Sequence, residues 1–354
     1  MSLFDYFTPL TGSIGGTMIG LSSGVLLLMN GDVLGASGIM ATFFTNPIKA
    51  LKDPKNLWRM ALMTTFLVTS ALCAPFAVDR VTDPTLVALP SPIAYSLAGL
   101  LVGFGTRLGN GCTSGHGVCG LGRRSTRSLA AVMTFMATGV ATAMGLSPSA
   151  PWSKATAFLR SDTPISLVPA LGYAAIVPVV LGLLVMPKLW KKESFTDEDK
   201  EKVFGGALSG ILFGAGLGIS GMVLPSKLNL FLNMGGIANG TWDPTLMTVL
   251  GAAVPVSFLA YQFVPKFSLN LFGENAVMKK PLMTEAFNLP TNNKLDWNII
   301  IGEAIFGIGW AIGSLCPGPA MFHVAVGNPM VIFGWMPGFI VGAILAQEIK
   351  AKQH

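Results

Sequence analysis

Apolar residues fall into long runs separated by short connections that carry most of the charge. A hydrocarbon core about 30 Å thick takes about 20 residues of helix to cross. About nine segments approach that length, at 11–29, 58–78, 93–109, 128–147, 167–187, 204–222, 245–264, 299–315 and 330–347. They lack the period-two alternation of a membrane β-barrel. Helices are then the spanning form left, because lipid offers no partner to an exposed backbone N–H or C=O. The pattern predicts an all-α polytopic membrane protein with about nine transmembrane helices.

Nine spans put alternate connections on opposite sides, and the 23 Lys and Arg then segregate. Eighteen lie in the loops after spans 1, 3, 5 and 7 or in the C-terminal tail; four (Arg80, Lys154, Arg160 and Lys227) lie on the other side, and Arg107 sits inside span 3. The positive-inside rule predicts a cytoplasmic C-terminus and an outside N-terminus, in a plasma or inner membrane. The opening MSLFDYFTPLTG has neither a basic n-region nor a small-residue cleavage site, so the first span is expected to act as the insertion signal.

The two halves resemble each other. Gly16, Gly20, Gly24 and Gly31 precede Gly206, Gly210, Gly214 and Gly221 by 190 positions. Gly103, Gly105, Gly109 and Cys112 precede Gly307, Gly309, Gly313 and Cys316 by 204. Residues 1–150, with spans 1–4, then form one repeat, and 204–354, with spans 6–9, form the other; 151–203 supplies span 5 and a charged cytoplasmic loop. Because five spans precede the second repeat, it enters the membrane from the opposite side. Inverted repeats place a substrate site near the midplane, at the interface between the halves.

Composition agrees with a membrane protein. Only 11% of residues are charged and 51% are hydrophobic, against about 25% charged in soluble domains. A net charge of +6 would suit nucleic acid only if the basic residues gathered on a folded polar surface; here they flank apolar runs, and no nucleic-acid partner is expected. Four Cys are too few for a disulfide framework in a chain of this length.

Two segments carry the candidate chemistry. One runs Arg107-Leu-Gly-Asn-Gly-Cys112-Thr113-Ser114-Gly-His116-Gly-Val-Cys119, the other Ser314-Leu-Cys316-Pro-Gly-Pro-Ala-Met-Phe-His323. Gly and Pro break the helix in both, and the freed backbone groups survive at membrane depth only where protein or a polar pathway covers them. Short broken or re-entrant helices are therefore expected to meet at a central constriction. A helix starting after each Cys would point its positive end at the sulfur, and Pro317 suits a first helical position. With Thr113 and Ser114 adding hydroxyl donors, such a pocket suits a small anion that presents soft sulfur as well as oxygens.

The other residues keep two readings each. Cys119 and His323, which falls seven residues after Cys316, are secondary gate contacts or packing groups. His116 is a hydrogen-bonded loop residue or a proton carrier. Arg107 draws anions or snorkels into a structural pair, and Arg123, Arg124 and Arg127 set topology. Cys73 reads as a small buried hydrophobe. No paired ligand spacing supports a metal, and no cofactor is expected. Six residues separate Cys112 from Cys119 where a disulfide oxidoreductase would have two. No intramembrane pair of carboxyls stands out as a proton relay; Glu303, at the start of span 8, is the single carboxyl worth altering.

GNGCTSGHGVCGLGRRSTRSLAAVMTF at 109–135 and GIGWAIGSLCPGPA at 307–320 resemble the YeeE/YedE family of sulfur-compound transporters, as do the Gly-rich openings of both halves. The resemblance implies an hourglass-shaped inverted repeat in which thiosulfate passes between cysteines on short inserted helices, held by thiol hydrogen bonds. Carried onto this chain, it names Cys112 and Cys316. Members that move thiosulfate also place a Cys in the opening of the first repeat, and here Gly31–Gly38 holds none.

The expected function is uptake of a small sulfur-containing anion, thiosulfate first, by a transporter and not an enzyme. Apolar walls must keep the two thiols protonated, because a thiolate would repel the anion and cannot donate. Two rival readings are a persulfide relay, in which Cys112 carries sulfane sulfur covalently to a cytoplasmic acceptor protein, and a membrane scaffold with inert Cys.

Overall fold

A computed structural model describes residues 7–81, 89–147, 160–161, 196–266, 280–292 and 294–353. The expected span at 167–187 and most of the linker 151–203 lie outside the described residues. Every other expected span is helical. We number twelve helices: α1 Pro9–Asn30, α2 Ala36–Thr45, α3 Leu57–Val81, α4 Pro92–Gly109, α5 Thr113–Gly120, α6 Thr126–Leu146, α7 Asp197–Ser220, α8 Pro225–Leu232, α9 Thr245–Phe263, α10 Trp297–Gly313, α11 Pro317–Ala325 and α12 Met336–Lys352. Six stretches are long and apolar enough to cross a membrane, namely α1, α6, α7, α9, Trp297–Ala325 and Val331–Lys352. Among the described residues the only strands are the two-residue pair Leu89–Pro90 and Arg160–Ser161.

Local signals set the helix ends. Pro occupies the first turn of α1 and α4, where a missing N–H costs no hydrogen bond. Ser91, Ser125 and Asp296 accept from the backbone N–H groups of Ala94, Ser128 and Ile299, capping α4, α6 and α10. Thr196 and Asp199 form a reciprocal capping box at the start of α7. Gly31 (φ 69°) and Gly221 (φ 73°) stop α1 and α7 in the left-handed conformation that glycine adopts without a Cβ clash.

The first six helices and the last six pack in a matching pattern. α1 lies against α9 as α7 lies against α3; α4 lies against α12 as α10 lies against α6. α1 and α7 touch each other, and so do α4 and α10. Raising each number by six, and returning from twelve to one, maps these contacts onto themselves.

Glycines set how closely the helices approach. A Cβ on Gly16 would strike the Val249 carbonyl of α9, and one on Gly206 would strike the Trp58 carbonyl of α3. The first pair of positions differs by 190 and the second by 191. Likewise Gly103 lies on Phe339 and Gly307 on Phe135, both pairs offset by 204. Between helices in lipid there is little hydrophobic drive, so close van der Waals contact at small residues holds them together. Aromatic side chains fill the remaining volume: Phe135 meets Phe306 and Trp310 edge-on, and Trp335 stacks on Phe339.

Overpacking a tight contact costs about 1–3 kcal/mol. Gly16→Val and Gly206→Val are each expected to lower the thermal midpoint and the monodisperse yield in detergent. Gly251→Ala, where nothing lies within 4 Å, should leave both unchanged. Size-exclusion chromatography and thermal unfolding of the purified variants check this.

Candidate functional site

Each half breaks after its fourth helix. α4 ends at Asn110 (φ 64°) and α10 at Ser314 (φ 49°), and these left-handed residues turn the chain two positions before Cys112 and Cys316. Non-glycine residues held in that region cost of order 1–3 kcal/mol and persist only where their surroundings fix them. α5 then winds as a wide π-helix with three glycines, and α11 begins at Pro317. Each Cys immediately precedes its short helix, and neither thiol caps that helix.

The two broken segments meet. Thr113 Oγ1 donates to Cys316 Sγ at 3.6 Å, bringing the second sulfur to the residue beside Cys112. Cys112 is buried, with its sulfur 3.2 Å from Ser114 Oγ. The same Ser114 hydroxyl accepts the Ala36 N–H at 3.1 Å, tying α2 to α5. All four cysteines are free thiols.

His116 is held on three sides. Nδ1 accepts from Ser128 Oγ at 3.0 Å, while Nε2 donates to the Gly109 carbonyl at 3.2 Å and lies 3.4 Å from Glu303 Oε1. Cys119 and His323 sit deeper. The Cys119 thiol donates to the Leu34 carbonyl at 3.2 Å and lies 3.0 Å from Ser23 Oγ. His323 Nε2 donates to the Val223 carbonyl at 2.7 Å, and its Nδ1 accepts from Asn328 at 3.1 Å. Each of these two side chains thus ties a short helix to the loop after the first helix of its own half.

A thin wall separates two cavities. On one side lies an apolar space of about 610 Å³, lined by Cys112, Thr113, Ser114, Cys316 and Trp310 together with Leu, Phe and Met side chains. On the other lies a space of about 490 Å³ lined by Arg59, Arg107, Arg123, Arg127 and His116. Neighbouring residues of the wall face opposite ways: Ala36 and Ser114 line the apolar space, Gly35, Ser37, Gly115 and His116 the basic one. Cys119 and His323 line neither.

The arginines are fixed in place. Arg123 donates to the Pro290 carbonyl at 3.0 Å, Arg107 to Gln347 at 3.3 Å and Arg127 to Asp296 at 2.7 Å. Partial burial opposes ionisation of Asp296, yet the Arg127 hydrogen bond holds its carboxyl below the usual range. Two residues of the site carry no chemical signal of their own in the sequence: Trp310, whose buried indole N–H lies beside the Cys316 thiol, and Ala36, the first residue of α2, whose N–H meets Ser114 Oγ.

The two halves match two family models. Residues 8–142 match a family described as sulphur transport, and residues 202–353 match a family of unknown function, DUF6691. A probable transporter from Xylella fastidiosa strain 9a5c is 40% identical over 145 residues, which are 41% of this chain and 88% of that protein. One from strain Temecula1 is 39% identical over 139 residues, 39% of this chain and 93% of the relative. The chain belongs to the YeeE/YedE-like sulphur-transport family. It is a multi-pass membrane transporter of sulfur compounds. Both Xylella relatives are less than half the length of this YeeE/YedE-like chain.

In this family member Cys112 and Cys316 line the apolar cavity and Cys119 does not. With thiol reagents small enough to enter the apolar cavity, Cys112 and Cys316 are expected to be alkylated and Cys119 to stay unmodified in the folded protein. Peptide mass spectrometry after timed labelling reads this directly; Cys119 reacting as fast as the other two would contradict the placement.

Proposed function

We propose that the protein takes up a small sulfur-containing anion, thiosulfate first, by passing it between Cys316 and Cys112 through S–H hydrogen bonds. The observation that carries this reading is the contact from Thr113 to Cys316, which puts both cysteines on one wall of one cavity. An anion moving into an apolar space loses its hydration, at a cost of several kcal/mol unless fixed donors replace the water. The two thiols, the Thr113 and Ser114 hydroxyls and the Trp310 N–H supply such donors with no fixed positive charge to trap the ion. A soft, polarizable sulfur suits the terminal sulfur of thiosulfate.

Beyond the wall, the arginine-lined cavity draws an anion onward, because a cleft lined by one sign of charge concentrates the opposite ion. In this reading residues 1–150 and 204–354 are the two inverted repeats, and the wall is their shared waist. The basic cavity then opens to the cytoplasm, on the side of the C-terminus, in the inner or plasma membrane. The 18 basic residues assigned to that side support this orientation.

Cys112→Ala and Cys316→Ala are each expected to reduce uptake of radiolabelled thiosulfate into vesicles to background, with Cys73→Ala as the unaffected control. Sulfite and sulfide in competition rank the substrates. If both variants transport like the wild type, the thiol pathway is wrong. A persulfide on Cys112 after substrate exposure, seen by mass spectrometry, would instead favour covalent hand-over to a cytoplasmic acceptor.

A further inference from the structure

Glu303 lies fully buried in α10, and among the described residues neither of its carboxyl oxygens has a hydrogen-bond partner. An ionisable side chain at membrane depth is costly and usually functional. Packing does not explain it, because the matching position of the first half, 204 residues earlier, is Gly99. Room for the carboxyl exists because Gly109 has no side chain: a Cβ there would collide with Glu303.

The titratable and charged groups around it are few. From the broken segment comes His116, four residues after Cys112, with Nε2 3.4 Å from Glu303 Oε1. From α6 comes Arg127, already bonded to Asp296, and α4 presents only Gly105 and Gly109 where it crosses Gly302. Arg123 and Arg127 also act on His116. Glu303 therefore touches an imidazole that lines the basic cavity together with Ser128, and that imidazole belongs to the same broken segment as Cys112.

We propose that Glu303 is the proton-binding site that couples anion passage to proton entry, with His116 as its outlet to the basic cavity. This rests on the anion-transport reading. An anion held at Cys112 favours the neutral carboxyl by charge repulsion, so substrate and proton load together. Once the anion moves on to the arginines, that repulsion ends and the carboxyl releases its proton. The proton passes to Nε2 of the His116 tautomer protonated at Nδ1, and the ring gives its Nδ1 proton through Ser128 to cavity water. What remains is a carboxylate and a neutral imidazole donating from Nε2, the arrangement in which Nε2 faces both Gly109 and Glu303, and exchange of the ring protons through cavity water restores the Nδ1–H tautomer for the next turnover.

Vesicles containing the full chain, with acid outside, test this. Labelled thiosulfate uptake is expected to rise severalfold over the rate without a gradient, and an internal pH dye to acidify only when thiosulfate is added. In Glu303→Gln the gradient should no longer accelerate uptake, whereas Glu303→Asp should keep part of the acceleration. Infrared spectroscopy of purified protein gives a readout without transport: a protonated-carboxyl band that thiosulfate shifts and that Glu303→Gln lacks. Thiosulfate entry without proton entry, or Glu303→Gln uptake still driven by the gradient, overturns the coupling and leaves the substrate reading standing. Absence of thiosulfate uptake by the wild type under any gradient overturns both.

Discussion

A helix broken inside a bilayer frees backbone groups that have no water to turn to, and each one left unsatisfied costs several kcal/mol. The rest of this architecture follows from meeting that demand twice. After α4, the Gly111 N–H returns to the Thr106 carbonyl at 2.9 Å, the Gly109 carbonyl takes the His116 ring N–H, and Lys350 reaches the Arg107 carbonyl. After α10, the Cys316 carbonyl accepts from the Ala320 N–H at 2.9 Å, and the far end of α11 closes through Asn328 onto the His323 carbonyl. Cys119 and His323 satisfy the loops that follow α1 and α7. Most polar side chains at depth are thus occupied by the breaks themselves, which leaves few groups free for a passing ion.

Close helix packing brings the two breaks together. Glycines that let α1 rest on α9, and α7 on α3, draw the halves near enough for Thr113 to reach Cys316. The halves match in backbone and differ in chemistry. One short helix is tied down by a thiol and the other by an imidazole, and Glu303 in the second half replaces Gly99 in the first. Symmetric packing with unlike side chains yields two unlike cavities, one lined mainly by apolar side chains and the two cysteines, the other by four arginines.

In the proposed pathway this sequence of environments has a direction: neutral donors would hold an anion weakly enough to leave, and the field of the arginines beyond the wall would favour leaving on that side. A fixed charge inside the apolar chamber would bind more tightly and slow release. The proposed role of the Glu303 carboxyl fits the same scheme, since an anion held nearby would favour its neutral form.

Much of this was legible in the chain alone. Apolar run length predicted the helices, because helical rise and bilayer thickness are fixed quantities, and each expected span within the described residues is helical. The Gly-Cys and Cys-Pro breaks, the matched glycines and the family resemblance could be read from residue order, since helix breaking is a local property. Tertiary structure alone decided which side chains share a wall. Cys119 and His323 read in sequence as secondary gate contacts or packing groups; in the fold they donate to loop carbonyls and line neither cavity, while Trp310 and Ala36, given no role by their spacing, line the cavity. Glu303 was visible as a residue, but its missing partners and its closeness to His116 depend on helices about 190 positions apart in sequence, and no local rule encodes a contact at that distance.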